Sequence, residues 1–175
     1  MKTVVIYKSK SGYTKTYAQW IAEELNCDLK ENDGLKLQDI QDYDTIIYGG
    51  GIYASGISGI KLINKNYDAL KDKNIIVWAT GSAPDESENN ERTWAHNFSE
   101  LQLAHIKTFY IRGGFNYRAL SNLNKVLMSG FRKALQKQKE LSDGMNEFLD
   151  KFNEPQDYRE KENIKPLVEY VMALK

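Results

Sequence analysis

Two kinds of hydrophobic pattern alternate along the chain. Short runs of β-branched and aromatic residues, almost continuous in apolar character, occupy residues 3–7, 45–48, 74–79 and 108–111. Such runs are typical of strands that are covered on both faces of a sheet. Residues 27–30 form a weaker run, which indicates an edge strand.

Between these runs, apolar residues recur at helical spacing. The stripes are Tyr17, Trp20, Ile21 and Leu25; Ile57, Ile60, Ile63 and Leu70; Trp94, Phe98 and Leu101; and Leu167, Val168, Val171 and Met172. The alternation of strands and helices predicts an α/β fold, in which helices cover both faces of a parallel sheet through right-handed crossovers.

The stretch from residue 115 to about residue 160 departs from this alternation, because it is long and mostly helical. We interpret residues 115–160 as an insertion before the C-terminal helix. Gly144 is a possible break within it, and Asn153-Glu154-Pro155 is a firmer one.

Composition narrows the class of protein. The 175 residues suit a single domain spanning residues 1–175, and the 24 basic and 24 acidic side chains cancel. A balanced charge favours neither a nucleic-acid partner nor an acidic electron carrier. The one cysteine, Cys27, excludes an intrachain disulfide, and no run approaches the ~18 apolar residues of a membrane span. We therefore expect a cytoplasmic protein.

The first predicted strand ends in a loop rich in hydroxyl groups, residues 8–15, which read Lys-Ser-Lys-Ser-Gly-Tyr-Thr-Lys. A loop between a parallel strand and a helix N-terminus directs unpaired N–H groups at one point, where the helix dipole favours an anion. The loop lacks both GxxxxGK(S/T) and GxGxxG, so a terminal monophosphate is the expected ligand. The alternative is that Ser11 or Thr14 only caps the helix.

Residues 9–14, Ser-Lys-Ser-Gly-Tyr-Thr, are similar to the Ser/Thr-x-Ser/Thr-Gly-x-Thr loop that binds the FMN phosphate in flavodoxins. The resemblance extends over residues 1–112 and 162–175. It implies a flavodoxin-like three-layer α/β/α sandwich, whose five-stranded parallel sheet has the order 2-1-3-4-5, with FMN at the carboxyl ends of the strands. The phosphate ligands that it implies are Ser9, Lys10, Ser11, Gly12, Tyr13 and Thr14.

Two further loops correspond to those that hold the flavin ring in flavodoxins. The first, residues 48–56, includes Gly50, Gly51, Ile52 and Tyr53, and by position Tyr53 resembles the side chain that stacks on the ring. The second includes Thr80, Gly81 and Ser82, whose backbone is expected to donate to the pyrimidine oxygens. The alternative for the first loop is a glycine-rich turn with a surface tyrosine.

Two departures from the flavodoxin pattern bear on mechanism. In the one-electron carriers a glycine follows the stacking position, whereas this chain has Ala54, which we expect to resist a positive φ. Those carriers also surround the flavin with carboxylates, and residues 54–56 carry none. Both differences favour two-electron chemistry with an organic partner.

Residues 113–118, Gly-Gly-Phe-Asn-Tyr-Arg, precede a helical pattern with an apolar face of Leu120, Leu123, Leu127, Phe131 and Ala134. Basic residues lie among and after them: Arg118, Lys125, Arg132, Lys133, Lys137 and Lys139. A basic amphipathic helix suits a membrane surface or a partner protein. It equally suits a helix that covers the core and exposes its lysines to water.

This segment resembles the extra segment of the menaquinone-dependent protoporphyrinogen oxidases, flavodoxin-like enzymes, although more loosely in spacing than the phosphate loop. The resemblance implies that FMN takes hydride equivalents from a tetrapyrrole and passes them to a quinone, with peripheral membrane contact through residues 115–141.

The leading hypothesis is an FMN-binding oxidoreductase that transfers electrons or hydride, with a redox protein or a small-molecule or quinone substrate as its partner. No catalytic side chain and no metal site are predicted, since the cofactor carries the chemistry. Asp85, Glu86 and Glu88 are expected to start a helix. The alternatives are a non-enzymatic one-electron carrier serving protein partners, and a cofactor-free binding module that uses residues 115–141.

Overall fold

The computed structural model describes residues 1–84 and 87–174. Its main sheet contains six strands: Thr3–Lys8 (β1), Asp28–Glu31 (β2), Thr45–Tyr53 (β3), Gly56–Ile57 (β4), Asn74–Gly81 (β5) and Lys107–Arg112 (β6). The order is β2-β1-β3-β5-β6, all parallel, while the short β4 pairs antiparallel with β3. The five parallel strands therefore have the predicted order 2-1-3-4-5, which is confirmed.

The helices of the described residues are Tyr13–Leu25 (α1), Lys61–Lys65 (α2), Tyr67–Leu70 (α3), Ser87–Asn97 (α4), Glu100–Leu103 (α5), Asn122–Leu135 (α6), Asp143–Asp150 (α7) and Lys165–Met172 (α8). Those outside the insertion cover both faces of this sheet. Short 3₁₀ turns occur at Leu37–Asp39, Tyr117–Ala119 and Lys161–Ile164. Asp85 and Glu86, expected to start a helix, lie outside the described residues, and Glu88 lies in α4.

Side chains of β1 alternate between two separate cores, which explains its continuous apolar run. Val4 and Ile6 pack with α2, α3 and β5, whereas Val5 and Tyr7 pack with α1 and α8. The predicted stripes on α1 and α8 are largely buried in the second core. Two residues of the predicted stripes are exposed instead: Leu101 on α5 and Met172 on α8.

Strand β3 is longer than the sequence pattern predicts, since it runs through the three glycines that we expected to form a loop. A Cβ on Gly49 would lie 1.9 Å from the ring of Trp78, and one on Gly50 would lie 2.6 Å from Ile57. The glycines are therefore required by close packing within the sheet layers, and not by a turn.

The insertion has its own small core and its own sheet. Gly114–Phe115 (β7) pairs antiparallel with Gln156–Asp157 (β8), and five buried side chains pack together: Phe115, Leu135, Met145, Phe148 and Phe152. The break at Asn153-Glu154-Pro155 is confirmed, because α7 ends at Asp150. The break considered at Gly144 is wrong. Gly144 lies in the first turn of α7, where a Cβ would lie 2.4 Å from Pro84.

Candidate functional site

The strand register brings the three predicted loops to one edge of the sheet. Lys8 pairs with Gly50, Gly51 pairs with Thr80, and Gly81 pairs with Arg112. The carboxyl ends of β1, β3, β5 and β6 consequently lie side by side, and the loops that follow them lie along the same edge of the sheet. This edge is where ligands bind in open α/β sheets.

The phosphate loop leaves the first turn of α1 open. Gly12 is the N-cap residue at φ 88°, and no side chain of the described residues caps the helix. The Gly12 N–H donates to Ser9 Oγ at 3.0 Å, which folds the loop back on itself. The alternative in which Ser11 or Thr14 caps the helix is therefore not observed. The N–H groups of the first turn, which have no intrahelical partners, are left for a ligand.

Thr14 connects the phosphate loop to the middle of the sheet edge. Its side chain is buried, and a Cβ on Gly51 would lie 3.6 Å from its Oγ1. Ser11 and Lys10 are exposed beside it. The loop thus combines one hydroxyl on the buried side with a hydroxyl and a cation on the solvent side.

Tyr13 has a different environment from the one that the phosphate motif implies. Its hydroxyl donates to the Gln156 carbonyl at 3.3 Å, and the Arg159 guanidinium lies 4.9 Å from its ring centroid. Burial raises the pKa of Tyr13. The Tyr13 side chain therefore holds β8 of the insertion against α1.

Tyr53 lies over the phosphate loop at the end of β3. Lys10 Nζ is 4.3 Å from its ring centroid, and a Cβ on Gly51 would lie 3.0 Å from the ring. Burial raises the Tyr53 pKa, with the Ser11 side chain acting in the opposite direction. Tyr53 is half-buried, so it is not the surface tyrosine of the alternative interpretation. The neighbouring Ile52 packs instead against the first core.

The expectation for Ala54 is wrong. Ala54 and Ser55 connect β3 to β4, and both have positive φ, 47° and 64°. A two-residue hairpin loop favours a turn with φ above zero at both central residues, because its twist matches that of the strands. The hairpin register, Tyr53 opposite Gly56, therefore outweighs the local preference of alanine.

Asn97 holds this hairpin from α4 and was missed by the sequence analysis. Its Oδ1 accepts the Ile57 N–H at 2.9 Å, and its Nδ2 donates to the Ser55 carbonyl at 2.6 Å. The sequence around Asn97 does not indicate this contact with the hairpin, because it shows only an asparagine in the last turn of a predicted helix.

The second predicted ring loop contains an unpaired buried hydroxyl. Thr80 is buried, and its Oγ1 has no hydrogen-bond partner among the described residues. A Cβ on Gly81 would lie 2.7 Å from Tyr110 Oη, so the loop follows β5 without room for a side chain. The Ser82 carbonyl accepts a hydrogen bond from Arg112 Nε at 3.1 Å.

Arg112 places a positive charge beside this loop. Its guanidinium stacks on Tyr158, 3.5 Å from the ring centroid, and its buried Nη2 lacks a partner among the described residues. Glu147, which interacts with this charge, is already paired with Lys151 at 2.7 Å. Sequence reasoning missed Arg112, although a basic residue directly after the predicted strand 108–111 was a usable signal.

The site fits FMN on three observations. Within the residues that the structure describes, the helix N-terminus is open and rich in hydroxyls, the buried Thr80 hydroxyl has no partner, and the buried Arg112 Nη2 has none either. Elsewhere in residues 1–84 and 87–174, no group of three or more metal-ligating side chains is placed to hold a metal ion. No helix in the same ranges has the length and apolar character to cross a bilayer.

Comparison with known proteins identifies the family of the chain. The family model of the flavodoxin domain matches residues 4–142. Similar solved structures include a flavodoxin, WrbA-like protein from Agrobacterium tumefaciens, with 18% identity over 70% of this chain and 87% of that chain and a TM-score of 0.49. The Trp repressor binding protein from Bacillus subtilis has 19% identity, coverages of 64% and 83%, and a TM-score of 0.47.

A flavoprotein in complex with FMN from Lactobacillus acidophilus has 19% identity, coverages of 63% and 91%, and a TM-score of 0.40. No curated protein matches the sequence. With four-fifths of its length matched by the family model, the chain belongs to the flavodoxin domain family.

Proposed function

We propose that the protein is an FMN-dependent oxidoreductase, in which bound FMN carries electrons or hydride between an organic donor and an organic acceptor. The observation that carries this proposal is the open first turn of α1, where Gly12 at φ 88° and the uncapped helix end meet the hydroxyls of Ser9, Ser11 and Thr14. When bound, FMN supplies reversible two-electron reduction. The protein supplies binding, orientation and electrostatics.

Different side chains of the proposed site would bind different parts of FMN. Ser11, Thr14 and the first-turn N–H groups would hold the phosphate dianion, and Tyr53 would cover the flat ring. Thr80 Oγ1 and the Ser82 backbone would bond to polar atoms of the ring. Arg112 would stabilise negative charge on the reduced ring, because its half-buried side chain carries a buried Nη2 that has no partner among the described residues.

The acceptor that we propose is a quinone. It is supported by the resemblance of residues 113–139 to the extra segment of the menaquinone-dependent protoporphyrinogen oxidases, and by the character of α6. Four large apolar side chains on one face of α6 are exposed: Leu123 by 71%, Val126 by 70%, Leu127 by 54% and Phe131 by 44%. The tetrapyrrole donor of those enzymes rests on the resemblance alone.

We further propose that this face of α6 contacts an anionic bilayer. Residues 101–139 contain no Asp or Glu, whereas six Lys or Arg side chains lie between residues 118 and 139. An exposed apolar face with flanking basic groups matches the interface of a bilayer with anionic headgroups. A quinone dissolved in the bilayer would then approach the proposed FMN site from the side on which the insertion lies.

FMN binding tests the cofactor. We expect Thr80→Val to weaken FMN binding about 3- to 10-fold in a fluorescence titration, since one hydrogen bond contributes about 0.5–1.5 kcal/mol. Thr3→Val is the matched control. Thr3 is also buried with an unpaired hydroxyl, but it lies at the amino end of β1. Equal effects of the two substitutions, or no FMN uptake by the wild type, would contradict the proposal.

Vesicle sedimentation tests the membrane contact. The wild type is expected to bind phosphatidylglycerol vesicles and not phosphatidylcholine vesicles, and Leu123→Gln/Leu127→Gln is expected to lose most of this binding. Leu101→Gln, which replaces an exposed leucine on α5, should leave it unchanged. If the wild type binds neither vesicle type, the proposed bilayer contact is wrong, and a protein partner becomes the candidate for the exposed face of α6.

A one-electron carrier is the second candidate function, and the observation that favours it is Ala54. Its φ of 47° shows that the hairpin tip accepts the conformation that we expected alanine to resist. An anaerobic reductive titration of the FMN-loaded protein separates the two candidates. Direct passage to the fully reduced flavin supports the two-electron enzyme, and a large, long-lived one-electron-reduced form supports the carrier.

A further inference from the structure

A cleft rich in lysine adjoins the phosphate loop, on the β2 side of the sheet. This open cleft of about 670 Å³ is lined by five lysines: Lys8, Lys10, Lys36, Lys61 and Lys65. Leu35, Leu37 and Leu62 supply apolar surface, and Asn32, Ser58, Gly59 and Asn66 complete the lining. We call this feature the lysine cleft. No carboxylate occurs among the described residues that line it.

The inner wall of the lysine cleft is fixed by hydrogen bonds. Asn32 Nδ2 donates to Tyr48 Oη at 3.1 Å and to the Gly59 carbonyl at 3.2 Å, and Tyr48 Oη donates to the Ser58 carbonyl at 2.8 Å. Burial raises the pKa of Tyr48 to about 12, so the phenol remains a donor at neutral pH. Gly59 has φ 73°, and a Cβ there would lie 2.2 Å from Tyr48 Oη.

The charge of the lysine cleft is largely uncompensated. Lys8 lies 3.6 Å from Asp33, whose side chain is 92% exposed on the rim. Within the described part of the chain, Lys36, Lys61 and Lys65 take part in no ion pair. The whole chain is neutral, so this cluster is a local excess of positive charge.

We propose that the lysine cleft binds an organic polyanion, with an apolar body against the three leucines and two or more carboxylate or phosphate groups against the lysines. A solvated inorganic anion gains nothing from apolar surface, whereas a molecule that carries both characters uses both parts of the lining. Lys8 and Lys10 belong to the phosphate loop, whereas Lys36, Lys61 and Lys65 lie outside it. This ligand would therefore lie next to the FMN phosphate and not in its place.

Isothermal titration calorimetry with three probes tests the proposal. ADP combines an aromatic base with a charged diphosphate, naphthalenetetracarboxylate combines an aromatic body with carboxylates, and inorganic pyrophosphate has charge without an apolar body. We expect at least one aromatic probe to bind more tightly than pyrophosphate. Lys61→Gln/Lys65→Gln should weaken that binding about tenfold, through the loss of two partly screened charges.

The matched control is Lys71→Gln/Lys73→Gln, which removes two lysines just before the amino end of β5 and should leave binding unchanged. Each titration is done with and without excess FMN, so occupancy of the phosphate loop is separated from occupancy of the cleft. Binding that survives excess FMN supports the proposal, whether or not the cofactor assignment is correct. Displacement of the probe by FMN, equal losses in the two double variants, or no preference over pyrophosphate would overturn it.

Discussion

The tip of the β3–β4 hairpin is strained, and this strain can be measured. Ala54 has φ 47° although it carries a Cβ. The left-handed conformation costs a residue with a side chain about 1–2 kcal/mol. Glycine avoids this cost but loses about 0.5–1 kcal/mol through the greater freedom of the unfolded chain. We therefore expect Ala54→Gly to raise the free energy of unfolding by about 0.5–1 kcal/mol.

Urea unfolding followed by circular dichroism measures this change, with Ala95→Gly as the matched control. Ala95 is exposed in α4, where the same substitution should lower the free energy of unfolding by about 0.5–1 kcal/mol. The two variants are thus expected to change stability in opposite directions. A loss of stability in Ala54→Gly comparable with that in Ala95→Gly would refute the assignment of strain to the hairpin tip.

The same variant also bears on the cofactor chemistry. Glycine lets the peptide after Tyr53 change orientation freely, whereas Ala54 is held in one strained conformation. In a reductive titration of FMN-loaded protein, Ala54→Gly should accumulate more of the one-electron-reduced flavin than the wild type. An unchanged fraction would show that this peptide does not contact the reacting edge of the ring.

Three further predictions concern charge and packing. Arg112→Gln should lower the two-electron reduction potential of bound FMN by roughly 20–40 mV, equivalent to about 1–2 kcal/mol. Arg112→Lys keeps the positive charge, so its reduction potential should stay close to that of the wild type. A spectroelectrochemical titration measures both variants. Arg159 holds the pKa of Asp157 below its ordinary value of 3.8, so the pair stabilises the fold above that pH and loses its effect as pH falls through the lowered value. The difference in unfolding free energy between wild type and Asp157→Asn should therefore be less than about 1 kcal/mol at pH 7 and vanish in acid. Gly49→Ala should lower the free energy of unfolding by roughly 2 kcal/mol or more, because its Cβ would enter the Trp78 ring. Gly130→Ala, at an exposed position of α6, should raise the free energy of unfolding by about 1 kcal/mol. Thermal unfolding compares the two variants.

The sheet and its order could be predicted because they depend on local pattern and on chirality. Continuous apolar runs identified strands buried on both faces, and right-handed crossovers left few ways to connect them. The phosphate loop was equally accessible, since its hydroxyls and Gly12 are consecutive in sequence. Features of this kind need no knowledge of which distant residues meet.

The remaining features depend on contacts across the fold. A run of glycines predicts a turn from local preference. Gly49 instead lies in a strand, where the Trp78 ring occupies the space that a side chain would fill. Arg112 acquires its place beside Ser82 only through the register of β5 and β6. Asn97 reaches the hairpin from another helix. None of these partners is near in sequence, so no single-sequence pattern could identify them.

The insertion leaves and rejoins the main fold at almost the same point. Gly114 is paired with Asp157, and the Tyr158 N–H donates to the Gly113 carbonyl at 2.8 Å. Residues 116–155 therefore form a closed excursion, and replacing them by a short turn would demand little loop-closure entropy. We therefore expect that residues 116–155 can be shortened to a turn without altering the register of the parallel strands. The geometry of this junction makes the helical insertion a separable unit for engineering, attached at one point to the sheet edge that we propose as the cofactor site.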